Sequence, residues 1–239
     1  MKLTIYSYRY AREILEHANY SVAWEEIRGI LEAAPLFSYP GKSSKNPRLH
    51  VVQQLMNTYF DRRFAVDNGW DYHPLATRIE ASGLAADFRK RFEDLSIQAE
   101  VQFGNMSRWY SDIFKFQTAY SQQLIQLGLS IVPMGSVARD IDSNVVNYER
   151  TRRELPSAEL SITLPIVLIG LEPDDTTQIV DVRECRFLRG IKDITGKGKD
   201  ENRWRVVNAY LTGVPMTDVG PESPTGQMLI VPPEVDEEA

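Results

Sequence analysis

The sequence has little from which to build a covalently linked or metal-clustered scaffold. A single cysteine, Cys185, rules out an intrachain disulfide framework and offers no thiolate cluster for zinc. A reducing compartment is therefore expected, and Cys185 itself reads as a small packed hydrophobe. The three histidines, His17, His50 and His73, stand at no paired spacing, and neither a Ser-His-Asp nor a Cys-His scheme has local support. Each reads as a surface or structural residue. No apolar run approaches the length of a membrane span, and the first residues lack the apolar core of a signal peptide. Gly196-Lys197-Gly198-Lys199 has neither the spacing nor the strand-to-helix context of a phosphate loop and reads as a flexible tip. There is no internal repeat and no basic excess. The net charge of −6 excludes a nonspecific polycation, although Glu234, Asp236, Glu237 and Glu238 supply four of the negative charges and leave −2 on the rest.

What the chain does have is the composition of an ordinary folded protein. With 239 residues, it is long enough for one well-buried domain. We expect that domain over residues 1–220, followed by a Pro-rich, acidic tail, 221–239, that is disordered. Val22, Trp24, Ile27, Ile30 and Leu31 fall on one stripe and predict a helix from Tyr20 to Leu31, ended by Pro35. A second helix is predicted over Val51 to Phe64. Trp109, Ile113, Phe116, Tyr120, Leu124 and Leu127 recur at helical spacing, with Gly128 as the expected stop. Buried strands are expected at Leu129–Pro133 and Ile162–Leu171, the latter near an edge or bulge because of Pro165. Beyond Glu172 the pattern suggests a strand near Gln178–Val182, a basic stretch from Arg183 to Arg205 and a closing hairpin.

The densest signal is Ala99-Glu100-Val101-Gln102-Phe103-Gly104-Asn105. From Leu95 to Phe103 apolar and polar residues alternate, the period of a strand with one buried face, so Glu100 and Gln102 project from the same side. A carboxylate and an amide two residues apart, with a further acid nearby, can hold a divalent cation and a water beside a phosphodiester. An acidic pair, Glu93-Asp94, lies just upstream of the strand. An E-x-Q triplet alone is weak, and an exposed polar sheet face is the plain alternative.

The string Glu100-Val-Gln-Phe-Gly-Asn105, running into Trp109-Tyr110-Ser111-Asp112-Ile113-Phe114, resembles the BglII/BstYI-like type II restriction endonucleases. In their active-site strand, Glu-Val-Gln-Phe precedes Gly or Ser and then Lys or Asn. The likeness continues in order through Glu13-Ile14-Leu15, Trp24 to Ile27, Leu55 to Phe60, Gly69-Trp70, Ile131 to Met134, Ser143-Asn144, Tyr148-Glu149 and Pro165 to Gly170, covering about residues 1–172. The resemblance implies an α/β, restriction-endonuclease-like mixed β-sheet flanked by helices, of the PD-(D/E)-X-K superfamily with Gln in place of the usual Lys. It implies Mg²⁺ as cofactor with no organic cofactor, double-stranded DNA as partner, a homodimer cutting a short palindrome, and a cytoplasmic, bacterial setting. Asp87 and Glu100 are the implied metal ligands, with Asp94 as the alternative to Asp87 because the spacing from Asp87 to Glu100 is long for the family. Gln102, an amide that cannot act as a base, would orient the nucleophilic water. Asn105, Ser143, Asn144 and Arg150 are the implied DNA contacts. Helix capping by Asn105, a turn at Ser143-Asn144 and a solvated helix face at Arg150 are their structural readings. Two rivals stand beside this function: a catalytically inactive DNA-binding module on the same fold, and a repair or modified-DNA nuclease that needs no palindrome.

Overall fold

The computed structural model describes residues 1–158 and 161–229. Its frame is a six-stranded mixed sheet. Strand β1 (Lys2–Tyr8) leads into the short helix α1 (Ala11–Leu15) and then α2 (Ser21–Glu32), whose stripe Ala23, Trp24, Ile27, Ile30 and Leu31 is buried as its spacing demands. A small strand β2 (Leu36–Ser38) and helix α3 (Gln53–Asp61) follow. The helix predicted to Phe64 continues past Asp61 as a π-helical turn, Arg62–Asp67, rather than as regular α-helix.

Strands β3 (Asp71–Tyr72), β4 (Phe88–Phe92) and β5 (Leu95–Val101) pair antiparallel in sequence. The β4–β5 hairpin closes in two residues, Glu93-Asp94, with Glu93 at φ 53. Helix α4 (Met106–Ser121) then carries the chain across to β6 (Leu127–Pro133), which lies parallel to β5. Helices α5 (Gly135–Ile141) and α6 (Tyr148–Glu154) return it to β7 (Ile166–Glu172), parallel to β6 and antiparallel to β1. The order is β1-β7-β6-β5-β4-β3.

Several expectations change here. Gly128 does not stop α4. It lies within β6, against Phe116 and Leu164, and the reversal after α4 uses Gln123 at φ 59. Pro165 precedes β7, which is not an edge strand because β1 covers it. The strand β5 does not have one wet face: Gln98 and Glu100 are as buried as Ile97 and Ala99. The reason is α4. Ile97, Ala99, Leu127, Leu129, Ile131, Val167 and Ile169 pack on one side of the sheet beneath α2 and α3, while Trp109, Ile113 and Phe116 of α4 cover the other with Val132, Ile166 and Leu168.

After β7 comes β8 (Ile179–Asp181), parallel to β2. The basic stretch expected to close as a hairpin is helical instead, with α7 (Lys192–Thr195) and α8 (Asp200–Leu211). Ile194, Val206, Val207 and Ala209 bury themselves in the same apolar cluster as α3. Residues 221–229, expected to begin a disordered tail, run along α8: Arg205 Nε donates to the Ser223 carbonyl at 3.1 Å and Asn208 Nδ2 to that of Pro224 at 3.1 Å. The remainder of that tail, 230–239, lies outside the described residues.

The sheet's α4 side tolerates no bulk at Gly170, where a Cβ would sit 2.4 Å from Met134 Sδ and 2.9 Å from Tyr148 Cβ. Gly170→Ala should therefore destabilise the protein by about 1–3 kcal/mol through overpacking. Urea unfolding checks it, and an unchanged midpoint would contradict the packing described.

Candidate active site

The site lies where the β4–β5 hairpin and α4 meet. Asp87 immediately precedes β4, and the antiparallel register Phe88↔Ala99 sets it across from the end of β5. Its carboxylate Oδ2 accepts the Val101 N–H at 2.8 Å, and its own N–H donates to Glu100 Oε2 at 3.3 Å. Asp87 is thus tied to Glu100 through its own N–H and to the next residue of β5, Val101, through its carboxylate. Asp94 is at the opposite end of the hairpin, bonded to the Tyr20 hydroxyl at 2.8 Å. The long spacing from Asp87 to Glu100 is simply the length of two paired five-residue segments and a tight turn.

Glu100 is 1% exposed. Its Oε1 accepts from Gln98 Nε2 at 2.9 Å, and its Oε2 from Lys115 Nζ at 3.1 Å. The same ammonium donates to Asp112 Oδ1 at 3.0 Å, while Gln102 Nε2 donates to Asp112 Oδ2 at 2.9 Å. Gln102 is oriented from its other side by Gly104, whose N–H donates to Oε1 at 2.8 Å. Both faces of that amide are therefore committed, which fixes which way it points.

Asp112 and Lys115 were not singled out by the sequence patterns, although the signal is there. Asp112 stands three residues after Trp109 and four before Phe116, in the middle of the helix's buried stripe, and is 3% exposed. A carboxylate on an apolar face is the informative exception to burial patterning, and a lysine three residues on is the partner that geometry allows it.

The electrostatics follow from packing three carboxylates against one ammonium. Burial, followed by repulsion from Asp112, pushes the Asp87 carboxyl up to about 6. Burial, with Asp87 and Asp112 adding to it, raises Glu100 well above the carboxylate range, and burial also raises Asp112. For Lys115 burial works downward, but Glu100, Asp112 and Asp87 more than reverse it and hold its charge. Asp87, Gln102, Asp112 and Lys115 line a cleft of about 500 Å³, with Glu100 buried behind Lys115, and the far wall carries Asp61, Tyr72 and His73, and Asp200, Arg203 and Trp204 of α8. His73, read from sequence as surface or structural, is half-buried in this wall. Met228 and Leu229 reach its rim.

Among the described residues, no group of three or more His, Cys, Asp or Glu side chains is arranged to hold a metal ion. A hard divalent cation bound through one or two carboxylates and completed by water and phosphate needs no such group. The donor chemistry fits that mode: Asp87 and Glu100 offer hard carboxylate oxygens side by side, and these would hold such a cation.

The other expected residues gather at the exit of β5. Asn105 caps α4, its Oδ1 accepting from Arg108 N at 3.0 Å and Ser107 Oγ at 2.6 Å. A bridge between Asn105 and Val145 and a 2.9 Å bond from Val146 N to the Gly104 carbonyl bring the loop holding Ser143 and Asn144 alongside. Ser143 there bonds Asp142 in a turn, and Asn144 is exposed. Arg150 lies on α6, paired with Glu154 at 2.7 Å.

A mixed sheet with an Asp and a Glu joined across a hairpin, followed by a helix crossing to a parallel strand, defines a restriction-endonuclease-like fold. The chain belongs to the restriction endonuclease BglII/BglIII family, whose family profile matches residues 3–171, and that family comprises type II site-specific deoxyribonucleases. Among solved structures, restriction endonuclease BglII complexed with a DNA 16-mer is similar at a TM-score of 0.61, with 22% sequence identity over 74% of this chain and 81% of that one. Free BglII gives 0.50 at 22% identity over 74% and 82%. At such identity the structural likeness is one of fold. No curated protein matches the sequence. The family match ends at residue 171, so α8 and its contribution to the cleft lie outside it.

Asn105→Ala should cost about 1 kcal/mol of stability because it deletes the α4 cap, whereas Asn105→Asp should keep it. Melting curves of the two variants provide the check: equal losses in both would show that the Oδ1 contacts carry no stability.

Proposed function

We propose that this protein is a Mg²⁺-dependent endonuclease that cleaves double-stranded DNA at a short palindrome as a homodimer, with Asp87, Glu100 and Gln102 as its catalytic residues. The observation that carries the reading is the pair of bonds tying Asp87 to the end of β5, its N–H donating to Glu100 Oε2 and its carboxylate accepting the Val101 N–H, with Asp87 and Gln102 both lining the cleft. Asp94, bonded to Tyr20 at the far end of the hairpin, has no such place.

Hydrolysis requires a water oxygen to bond to phosphorus as one P–O ester bond breaks, the water losing a proton and the departing oxygen taking one up. Mg²⁺, when bound, supplies charge neutralisation and acidifies a water. Asp87 and Glu100 would hold it. Gln102, clamped between Gly104 N–H and Asp112, presents an amide that orients rather than abstracts. DNA recognition falls to Asn105, whose Nδ2 is left over from capping, and to Ser143 and Asn144 on the adjoining loop. Arg150, on α6, would contact a phosphate. The complex of BglII with a DNA 16-mer supports duplex DNA as the partner.

A palindrome calls for two sites related by a two-fold axis, since each site cuts one strand. Tyr110 and Phe114, one turn apart on α4, are 46% and 63% exposed, an apolar pair that favours self-association.

Plasmid digestion tests the reading. Discrete bands should form with Mg²⁺ and none without it, and Glu100→Ala and Asp87→Asn should each slow cleavage by at least about 100-fold. Asp94→Asn should cut normally. A gel shift without cutting would favour the inactive binding module, and an unpatterned smear the non-palindromic nuclease. Phe114→Glu should shift the protein from dimer to monomer in sedimentation velocity; a wild-type monomer, with and without DNA, would overturn the dimer.

A further inference from the structure

Lys115 is the cation of α4 that hydrogen-bonds both Glu100 and Asp112. Its side chain is 17% exposed and lines the cleft, and its Nζ sits 3.1 Å from Glu100 Oε2 and 3.0 Å from Asp112 Oδ1. A protonated amine has three N–H donors. Two are spent on these carboxylates, and the third is left for whatever enters the cleft. Gln102 cannot supply positive charge, but it shares Asp112 with Lys115: Oδ2 accepts from Gln102 and Oδ1 from Lys115. One buried aspartate thus fixes both the neutral amide from the strand and the ammonium from the helix, in a continuous chain from Gln102 through Asp112 and Lys115 to Glu100.

Resting on the proposed function, we propose that Lys115 is a further catalytic residue, delivered from α4 to donate its free N–H to the scissile phosphate, with Asp112 as its positioning residue. The chemistry demands such a group. As the water's oxygen approaches phosphorus, negative charge grows on the nonbridging and departing oxygens, and a fixed cation that need not reorganise stabilises that charge most. Lys115 is fixed by two carboxylates in a largely enclosed pocket. A simple surface ion pair would instead be exposed and expendable.

The competing role is that of a placeholder, an ammonium that offsets the carboxylates until a metal ion replaces it. The two roles differ in a measurable way. Lys115→Met and Lys115→Arg are compared with wild type and with Glu100→Ala on a linear DNA fragment that wild type cuts. Single-turnover rates are taken across a Mg²⁺ titration, with fragment affinity in Ca²⁺ and melting temperature on the same samples. The proposal expects Lys115→Met to lose about 100-fold or more in rate at saturating Mg²⁺. Fragment affinity in Ca²⁺ should fall less than the rate, and Lys115→Arg should recover a substantial part of the loss. Asp112→Asn should fall in rate while keeping its fold, because it releases Lys115 without removing it. A Lys115→Met protein that cuts at the wild-type rate once Mg²⁺ is saturating, at a lower Mg²⁺ requirement, overturns the proposal and makes Lys115 a placeholder. Loss of rate in step with loss of melting temperature in every variant also overturns it, assigning the residue to structure. Full activity of Glu100→Ala would instead bring down the underlying site assignment, whatever Lys115 does.

Discussion

The constraint on which the site depends is the crowding of the Asp87, Glu100 and Asp112 carboxyls at the end of β5, with Lys115 as the one cation that bonds Glu100 and Asp112 among the described residues. Like charges held a few ångströms apart in a poorly hydrated space repel strongly, and desolvation compounds the effect. The surrounding structure answers this charge by charge. Gln98 gives Glu100 an amide N–H, Val101 gives Asp87 a backbone N–H, and Gln102 gives Asp112 its amide. Even so, the carboxyls of Asp87 and Glu100 stay raised. On the proposed function, a divalent cation held by these oxygens beside a phosphate would relieve that repulsion.

Much of this was legible in the sequence, for local reasons. The period of two over Leu95–Phe103 placed Glu100 and Gln102 together because a strand leaves no other choice. Asp87 could be named only from the resemblance, since its approach to Glu100 depends on where the hairpin turns, and Glu93 at φ 53 gives no warning of that. The burial of the polar face of β5 was not legible, because it depends on α4 folding back over it. For the same reason Asp112 and Lys115 passed unnoticed. A stripe drawn through Trp109, Ile113 and Phe116 already explains the helix, and the charged residue inside it matters only once β5 lies beneath. Gly128 misled because glycine stops helices by one mechanism and permits close sheet-to-helix packing by another.

The region after Glu172 was the least legible. Its basic residues suggested a surface, yet Arg203 and Arg205 spend their guanidinium groups within the region, on the carbonyls of Ile194, Gly196 and Ser223 and on the side chains of Asp200, Glu201 and Asn202. What they stabilise is a helix that forms the cleft's far wall. The family-matched portion supplies Asp87, Glu100 and Asp112, and α8 lines the cleft opposite them.

The pairing of Asn105 with Val145, and of Gly104 with Val146, has a mechanical consequence. Gln102 and loop 142–147 are separated by two residues of backbone that are hydrogen-bonded on both sides, and such a link has almost no slack. On the proposed function, a duplex that displaced that loop would shift the amide of Gln102 and with it Asp112, without a hinge or a moving domain. Discrimination and turnover would then be geared together at the exit of a single strand.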